Sequence, residues 1–118
     1  MRFRPEQHLR RQSDFLAVRE KGRRLNCGAF LLSYVAREPA SAVRRVGFVA
    51  STSAVGGAVE RNRARRRLRA LFRQHQAALP PGIDLVIVAR AAVNRLPFAE
   101  LAQKFTAACR QLAPAADA

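Results

Sequence analysis

The sequence predicts a single α+β domain, and its length and hydrophobic patterning support this prediction. The chain has 118 residues, the size of one domain with one modest core. Short apolar runs typical of strands occupy residues 28–36, 45–51 and 84–89. Longer amphipathic stretches typical of helices occupy residues 58–79 and 97–112. We expect the element order αβ(β)βαβα, where the brackets mark an optional short strand.

The N-terminal third predicts an arm followed by a short helix. Residues 1–12 are basic and polar, which is typical of a flexible arm that packs at most Phe3 and Leu9. Ser13 can cap a helix that ends before Gly22, because a serine side chain accepts a hydrogen bond from the first free amides.

Three apolar segments are expected to form the sheet. A short strand at residues 23–26 is possible, and residues 28–36 form a strand bounded by glycine and proline. Residues 45–51 are predicted to be the antiparallel return strand of a hairpin with it. The β-branched run at residues 84–89 is typical of a buried strand.

Two amphipathic helices are expected to cover this sheet. Within residues 58–79, one helical face is apolar and carries Ala64, Leu68, Leu71, Phe72, His75 and Leu79. The two prolines and the glycine at residues 80–82 end this helix. Pro97 is placed to begin the last helix, whose apolar stripe ends at Leu112, and residues 113–118 are expected to form a frayed tail.

Charge indicates the type of partner. The chain has 22 Lys and Arg against 8 Asp and Glu, a formal net charge of +14, and only Lys21 and Lys104 are lysines. Such self-repulsion favours a polyanionic partner, and guanidinium groups bind phosphate in a bidentate manner. A nucleic acid is therefore the leading partner, ahead of an anionic membrane.

Cysteine content and hydropathy indicate a cytoplasmic protein. The two cysteines, Cys27 and Cys109, are too few for a disulfide framework and have no metal-ligand spacing, so we expect reduced, buried thiols. No apolar run approaches the roughly 18 residues that a membrane span requires, and the first residues lack the apolar core of a signal peptide.

Residues 61–73 carry the strongest functional signal. This stretch contains seven arginines and no acidic residue, and the next acid is Asp84. Arginines spaced three and four apart on a helix repel one another by a few tenths of a kcal/mol, whereas bound phosphates would reverse the sign. The pattern thus predicts a polyanion-binding helix. RNA is favoured over DNA only by elimination, because no helix-turn-helix, zinc ligands or dimerising heptad is evident.

The sequence offers little support for catalysis by the protein itself. A pair of histidines can act as general acid and base in a ribonuclease, but His8 lies in the basic arm and His75 lies on an apolar helix face. The carboxylates are scattered singly, whereas a two-metal nuclease needs them clustered. No catalytic or metal-binding residue is therefore assigned.

The arginine stretch also carries a family resemblance. The chain has the run AVERNRARR at residues 58–66, preceded by VGFV at residues 46–49, and in these segments it resembles the protein subunit of bacterial ribonuclease P. Further similarity comes from Phe15 before the first helix, Phe30 in the first long strand, and the strand at residues 84–90. The resemblance covers about residues 9–112.

The resemblance implies both a fold and a function. The fold is a two-layer α/β sandwich with a central mixed four-stranded sheet, similar to a ribosomal-protein domain, with a left-handed β-α-β crossover. The implied function is to assist a catalytic RNA, one protein per RNA, that removes the 5′ leader of precursor tRNA as an endonuclease. The RNA subunit would carry the chemistry and, with the substrate, hold most of the Mg²⁺; membrane and DNA are not expected partners.

The resemblance also implies two sets of site residues. Binding of the catalytic RNA is expected at Arg61, Asn62, Arg63, Arg65, Arg66 and Arg69, with Asn62 also ordering the preceding loop. The 5′ leader is expected in a cleft between the first helix and the sheet, where Phe15 matches an aromatic position of the family. Arg19 and Ser33 stand at two further cleft positions where the family often has aromatic residues.

This chain departs from the family pattern near the arginine helix. Residues 51–53 are Ser-Thr-Ser where a Ser-Lys-Lys run is usual, and Gly57 stands where a basic residue is common. Ala64 and Ala70 replace a larger apolar residue and an acid. The alternative function is that of a structural or ribosomal-type RNA-binding protein with no role in cleavage, which would show no dependence on a 5′ leader.

Overall fold

The computed structural model describes residues 9, 12–36, 44–79 and 82–117. Within these ranges the chain forms helices α1 (Gln12–Lys21), α2 (Thr52–Val55), α3 (Ala58–His75) and α4 (Phe98–Asp117), and strands β1 (Arg23–Asn26), β2 (Phe30–Ala36), β3 (Arg45–Val49) and β4 (Ile83–Ala89). Two 3₁₀ turns, Gln76–Ala78 and Ala91–Asn94, follow α3 and β4. The predicted α+β order is confirmed except that the short helix α2 was not expected, and the optional strand is β1.

The four strands form one mixed sheet in the order β1-β2-β4-β3. Strand β2 pairs antiparallel with both β1 and β4, whereas β3 and β4 are parallel neighbours joined through α3. The mixed four-stranded sheet and the β-α-β crossover are therefore confirmed.

The predicted hairpin between β2 and β3 is wrong, because β4 lies between them. All residues of β4 except Val88 are buried, and apart from Asp84 near its start the side chains on both faces are apolar, so this strand needs neighbours and cover on both sides. Strand β3 starts with Arg45 and is only partly buried at both ends, which suits an edge position.

Helices α3 and α4 cover one face of the sheet and enclose the main core. The fully buried side chains include Phe30, Leu68, Phe72, Phe105 and Leu112. Both predicted apolar stripes lie in this core, although His75 and Phe98 at their ends are only partly buried. Helix α1 covers part of the opposite face, where Leu9, Val18 and Val86 form a second, smaller core.

Several helix ends differ from the expected ones. Helix α1 begins at Gln12, so Ser13 lies inside it and is not its cap. Helix α3 ends at His75 and tightens into a 3₁₀ turn before Leu79, as commonly happens ahead of prolines. Helix α4 begins directly after Pro97, and its backbone continues through the predicted frayed tail to Asp117.

Gly22 directly follows α1 at a position with no room for a side chain, because two carbonyl groups lie very close to it. Its amide donates to the carbonyl oxygen of Val18 at 2.9 Å. A Cβ at this position would lie 2.3 Å from the oxygen of Val18 and 2.4 Å from the carbonyl oxygen of Tyr34 on β2. Any side chain would therefore push α1 away from the sheet.

Leu9 from the predicted arm and Cys109 are buried, and Cys27 is partly buried. Residues 1–8, 10 and 11 of the predicted arm lie outside the described residues, but Leu9 is buried and its amide donates to the carbonyl oxygen of Val46 at 3.0 Å. Cys109 is fully buried and Cys27 partly buried, both as free thiols, as expected. Burial raises the pKa of both thiols, that of Cys109 to about 12.

In the part of the chain that the structure describes, we find no helix with the length and apolarity of a membrane span.

Leu68→Ala tests the packing of α3. Leu68 is fully buried in the main core, so its truncation leaves a cavity and should lower the free energy of unfolding by about 2 to 5 kcal/mol. The matched control is Val59→Ala on the same helix, where the side chain is 75% exposed and the expected change is within about 0.5 kcal/mol. Urea denaturation of both variants measures the difference, and equal stabilities would show that the assigned core face of α3 is wrong.

Candidate nucleic-acid interface

The polar surface of α3 presents most of the predicted RNA-binding residues to solvent. Ala64, Leu68, Leu71 and Phe72 fix the helix on the sheet through its buried side. The polar residues divide by exposure: Asn62, Arg63, Arg66 and Arg69 are exposed, whereas Arg61 and Arg65 are partly buried. At 100° per residue, Arg66 lies almost opposite the buried side.

Side chains on one flank of α3 are held in place by β3 and the residue after it. Arg65 donates to the side-chain oxygen of Asn62 at 3.4 Å and to the carbonyl oxygen of Ala50 at 3.5 Å. The guanidinium of Arg69 lies 6.0 Å from the centroid of the Phe48 ring, a cation–π contact. These contacts direct several charges toward one side of the helix, which we call the β3 flank.

The loop before α3 is ordered by an acidic residue that the sequence analysis did not assign. The amide of Gly57 donates to Glu60 Oε1 at 3.1 Å, at the third position of the helix. An acid at this position is a known helix-start signal, so the pattern could have identified it. The side chain of Asn62 accepts a hydrogen bond from Arg65, whereas the hydrogen bond to the loop is made by Glu60.

The predicted leader-cleft residues lie on α1 and β2, at the face of the sheet opposite α3. The ring of Phe15 lies directly on Gly47, where a Cβ would come within 2.3 Å of the ring. One cross-strand row runs from Gly47 through Val86 and Ser33 to Arg24. The guanidinium of Arg24 in turn donates to the carbonyl oxygen of Arg19 on α1 at 3.5 Å. Phe15, Arg19 and Ser33 therefore belong to the same face.

Ser33 and Arg19 differ sharply in accessibility. Ser33 is only 2% exposed on β2 beneath α1, so its side chain is not accessible to solvent. Arg19 is exposed on α1, and Phe15 is partly buried beside it. A ligand on this face can therefore contact Phe15 and Arg19, whereas the side chain of Ser33 is covered.

An apolar row beside these residues was not predicted. The next cross-strand row toward the end of β4 contains Val49, Val88 and Leu31, all partly buried, and ends at exposed Asn26. Leu16 on α1 is 47% exposed. Alternation along each strand could have placed these residues on the second face, but only the pairing brings them together.

Two arginines that precede α3 are occupied by contacts within the protein. Arg45 forms a bidentate ion pair with Asp84, at 2.9 and 2.8 Å, on the sheet. Arg44 donates to the carbonyl oxygen of Leu79 at 3.0 Å. Part of the hydrogen-bonding capacity of each guanidinium is therefore used within the protein.

Only one of the two histidines lies within the described residues. His75 is partly buried, and its ring lies 6.5 Å from that of Phe105 in the main core, while His8 lies outside the described residues. Over the described ranges, no group of three or more His, Cys, Asp or Glu side chains has an arrangement that could hold a metal ion.

Comparisons with known proteins identify the family of this chain. The model of the Ribonuclease P family matches residues 3–113. The ribonuclease P protein component of Streptomyces avermitilis is 40% identical over 116 residues, covering 91% of this chain and 92% of the relative. That of Acidothermus cellulolyticus is 41% identical over 98 residues, covering 82% and 80%.

Solved structures show the same fold. The ribonuclease P protein of Thermotoga maritima has a TM-score of 0.75 at 26% identity, covering 88% of this chain and 96% of that chain. That of Staphylococcus aureus has a TM-score of 0.72 at 19% identity, covering 93% and 94%. The arginine helix, the mixed sheet and these matches lead to one conclusion: the chain belongs to the Ribonuclease P family.

Proposed function

We propose that this chain is the protein subunit of a ribonuclease P holoenzyme that removes the 5′ leader of precursor tRNA. The protein binds the catalytic RNA through α3 and the leader through the α1 face, and one protein binds one RNA. It has no hydrolytic activity alone, because the RNA subunit performs the endonucleolytic cleavage. This function implies that the protein is cytoplasmic.

One observation carries the proposal: two consecutive residues of the edge strand β3 support the two surfaces. Phe48 lies beneath the guanidinium of Arg69, and Gly47 lies beneath the ring of Phe15. Consecutive Cα atoms are about 3.8 Å apart and their side chains point to opposite faces. RNA bound along α3 and a single-stranded leader bound on the α1 face would therefore lie on opposite sides of β3.

The chemistry of each surface suits its proposed ligand. The guanidinium groups of Arg66 and Arg69 are exposed, and phosphate contacts from arginine supply sequence-independent affinity. The α1 face offers the aromatic ring of Phe15 and the apolar row of Val49 and Val88, on which unpaired bases can stack or pack. Arg19 adds a cation for the backbone of the leader.

Among the residues that the structure describes, no group of carboxylates is clustered as a resident Mg²⁺ site would require. Asp84 is bound by Arg45, and Glu60 accepts a bond from the amide of Gly57. A Mg²⁺ site needs carboxylate oxygens free to coordinate the ion. We therefore assign Mg²⁺ to the RNA subunit and the substrate, and expect the arginines to lower the Mg²⁺ requirement by neutralising phosphates.

Reconstitution tests the proposal. Cleavage of a leader-bearing precursor tRNA is measured at low Mg²⁺ with the RNA subunit alone, with the protein alone, and with both. Only the combination is expected to release the leader. Cleavage by the protein alone would contradict the proposal and turn attention to His8 and His75, while RNA binding without rescue would support a structural RNA-binding protein.

Arg66→Ala tests the phosphate contact on α3. Arg66 is exposed and lies opposite the buried side, so the substitution should weaken binding of the RNA subunit while leaving stability unchanged. The slope of log K against log salt concentration should fall by about 0.7 to 0.9 for one lost contact. Gln74→Ala, an exposed neutral residue of the same helix, is the matched control. An unchanged slope for Arg66→Ala would refute the contact.

A further inference from the structure

The flank of α3 that faces away from β3 carries further arginines. Successive helical residues are rotated by about 100°, so Arg67 lies about 160° around the helix from Arg65 and Arg69. Arg63, one turn before Arg67, lies on the same side. The 3₁₀ turn Ala91–Asn94 packs against α3 here. We call this side the loop flank.

Two side-chain hydrogen bonds fasten residues 91–96 to the loop flank. Asn94 Nδ2 donates to the carbonyl oxygen of Glu60 at 2.9 Å, and Arg67 Nη2 donates to the carbonyl oxygen of Leu96. Glu60 and Arg67 are seven residues apart, about 10 Å along the helix axis. The segment is therefore held alongside the first three turns of α3, and the conformational freedom of an ordinary surface loop is lost.

The anchored segment carries an exposed arginine, Arg95, between its two anchored residues Asn94 and Leu96. Arg95 directly precedes Leu96, whose carbonyl group binds Arg67, and Arg95 is exposed, as is Arg63. Across the described ranges, no ion pair joins Arg63 or Arg95 to a carboxylate. Two acidic residues lie nearby in the sequence. Glu60 accepts a hydrogen bond from the amide of Gly57, and Glu100 is exposed in the first turn of α4.

This arrangement is costly in the free protein. Burial lowers the pKa of Arg67, and the positive charge of Arg63 lowers it further. Within the described part of the chain, Arg67 Nε and Asn94 Oδ1 are buried without a hydrogen-bond partner. Buried polar atoms without partners and adjacent like charges both destabilise a fold. A bound polyanion would offset the repulsion among these charges.

We propose that Arg63 and Arg95 form a second phosphate-binding strip on the loop flank, which Asn94 and Arg67 hold in position. Its ligand is a stretch of RNA backbone different from the one on the β3 flank. The inference rests on the proposed function, because the RNA subunit supplies this second stretch. Helix α3 then lies between two RNA segments, and Arg67 and Asn94 are positioning residues that contact no RNA themselves.

Arg95→Gln tests the strip directly, since it removes the charge and keeps a side chain of similar reach. Binding of the RNA subunit is measured over a range of salt concentrations. The expected result is weaker binding and a log–log salt slope smaller by about 0.7 to 0.9, as for one lost phosphate contact. The matched control is Arg110→Gln, an exposed arginine on α4 outside the strip, which should leave the slope unchanged.

Asn94→Ala tests the positioning role without changing the charge. In the wild-type background this substitution should weaken RNA binding, because Arg95 loses its fixed position. In the Arg95→Gln background it should have no further effect, so the two changes are not additive. Additive effects would show that Asn94 acts only through general stability, and would overturn the positioning role.

The outcomes separate this inference from the proposed function. If Arg95→Gln binds like the wild type while Arg66→Ala keeps its smaller slope, the strip is wrong and the proposed function stands. If Arg110→Gln loses as much as Arg95→Gln, total charge governs binding and the strip is also overturned. If the wild-type protein does not bind the RNA subunit, the proposed function fails and the strip fails with it.

Discussion

The rest of the structure depends on the need to cover strand β4 on both faces. Leu85 and Ile87 point into the main core beneath α3 and α4, while Val86 points into the smaller core beneath α1. A strand this apolar cannot lie at an edge, so β2 and β3 flank it. The same requirement puts α1 and α3 on opposite faces of the sheet, with the edge strand β3 between the two surfaces.

Positive charge is the second constraint, and it links the fold to its partner. The net charge of +14 is a standing electrostatic cost for the free chain. The bidentate pair between Arg45 and Asp84 neutralises one guanidinium on the sheet, whereas the exposed arginines of α3 have no such carboxylate partner among the described residues. Phosphate groups of a bound RNA would reduce the repulsion among these arginines.

Local patterns in the sequence predicted the helices and the arginine surface well, because periodicity and termination are encoded within a few residues. The stripe from Ala64 to Phe72 is buried as expected. Strand pairing is harder to predict. The local pattern of residues 45–51 suggests a hairpin with β2, because no feature of these residues reveals that a strand nearly forty residues later lies between them. The burial of Ser33 and the bond from Arg67 to Leu96 depend on similarly distant contacts. The family resemblance supplied the mixed sheet, which periodicity alone did not.

The central claim is that two surfaces on opposite sides of β3 bind different parts of the RNA assembly. The most direct measurement is the affinity of reconstituted holoenzyme for precursor tRNA with and without its 5′ leader, using Phe15→Leu and Arg69→Gln. Phe15→Leu should weaken binding only when the leader is present, by about 1 to 3 kcal/mol if one base stacks on the ring. Arg69→Gln should weaken assembly with the RNA subunit and act equally on both substrates. Loss of affinity by Phe15→Leu for the leaderless substrate, equal to its loss for the leader-bearing one, would contradict the account.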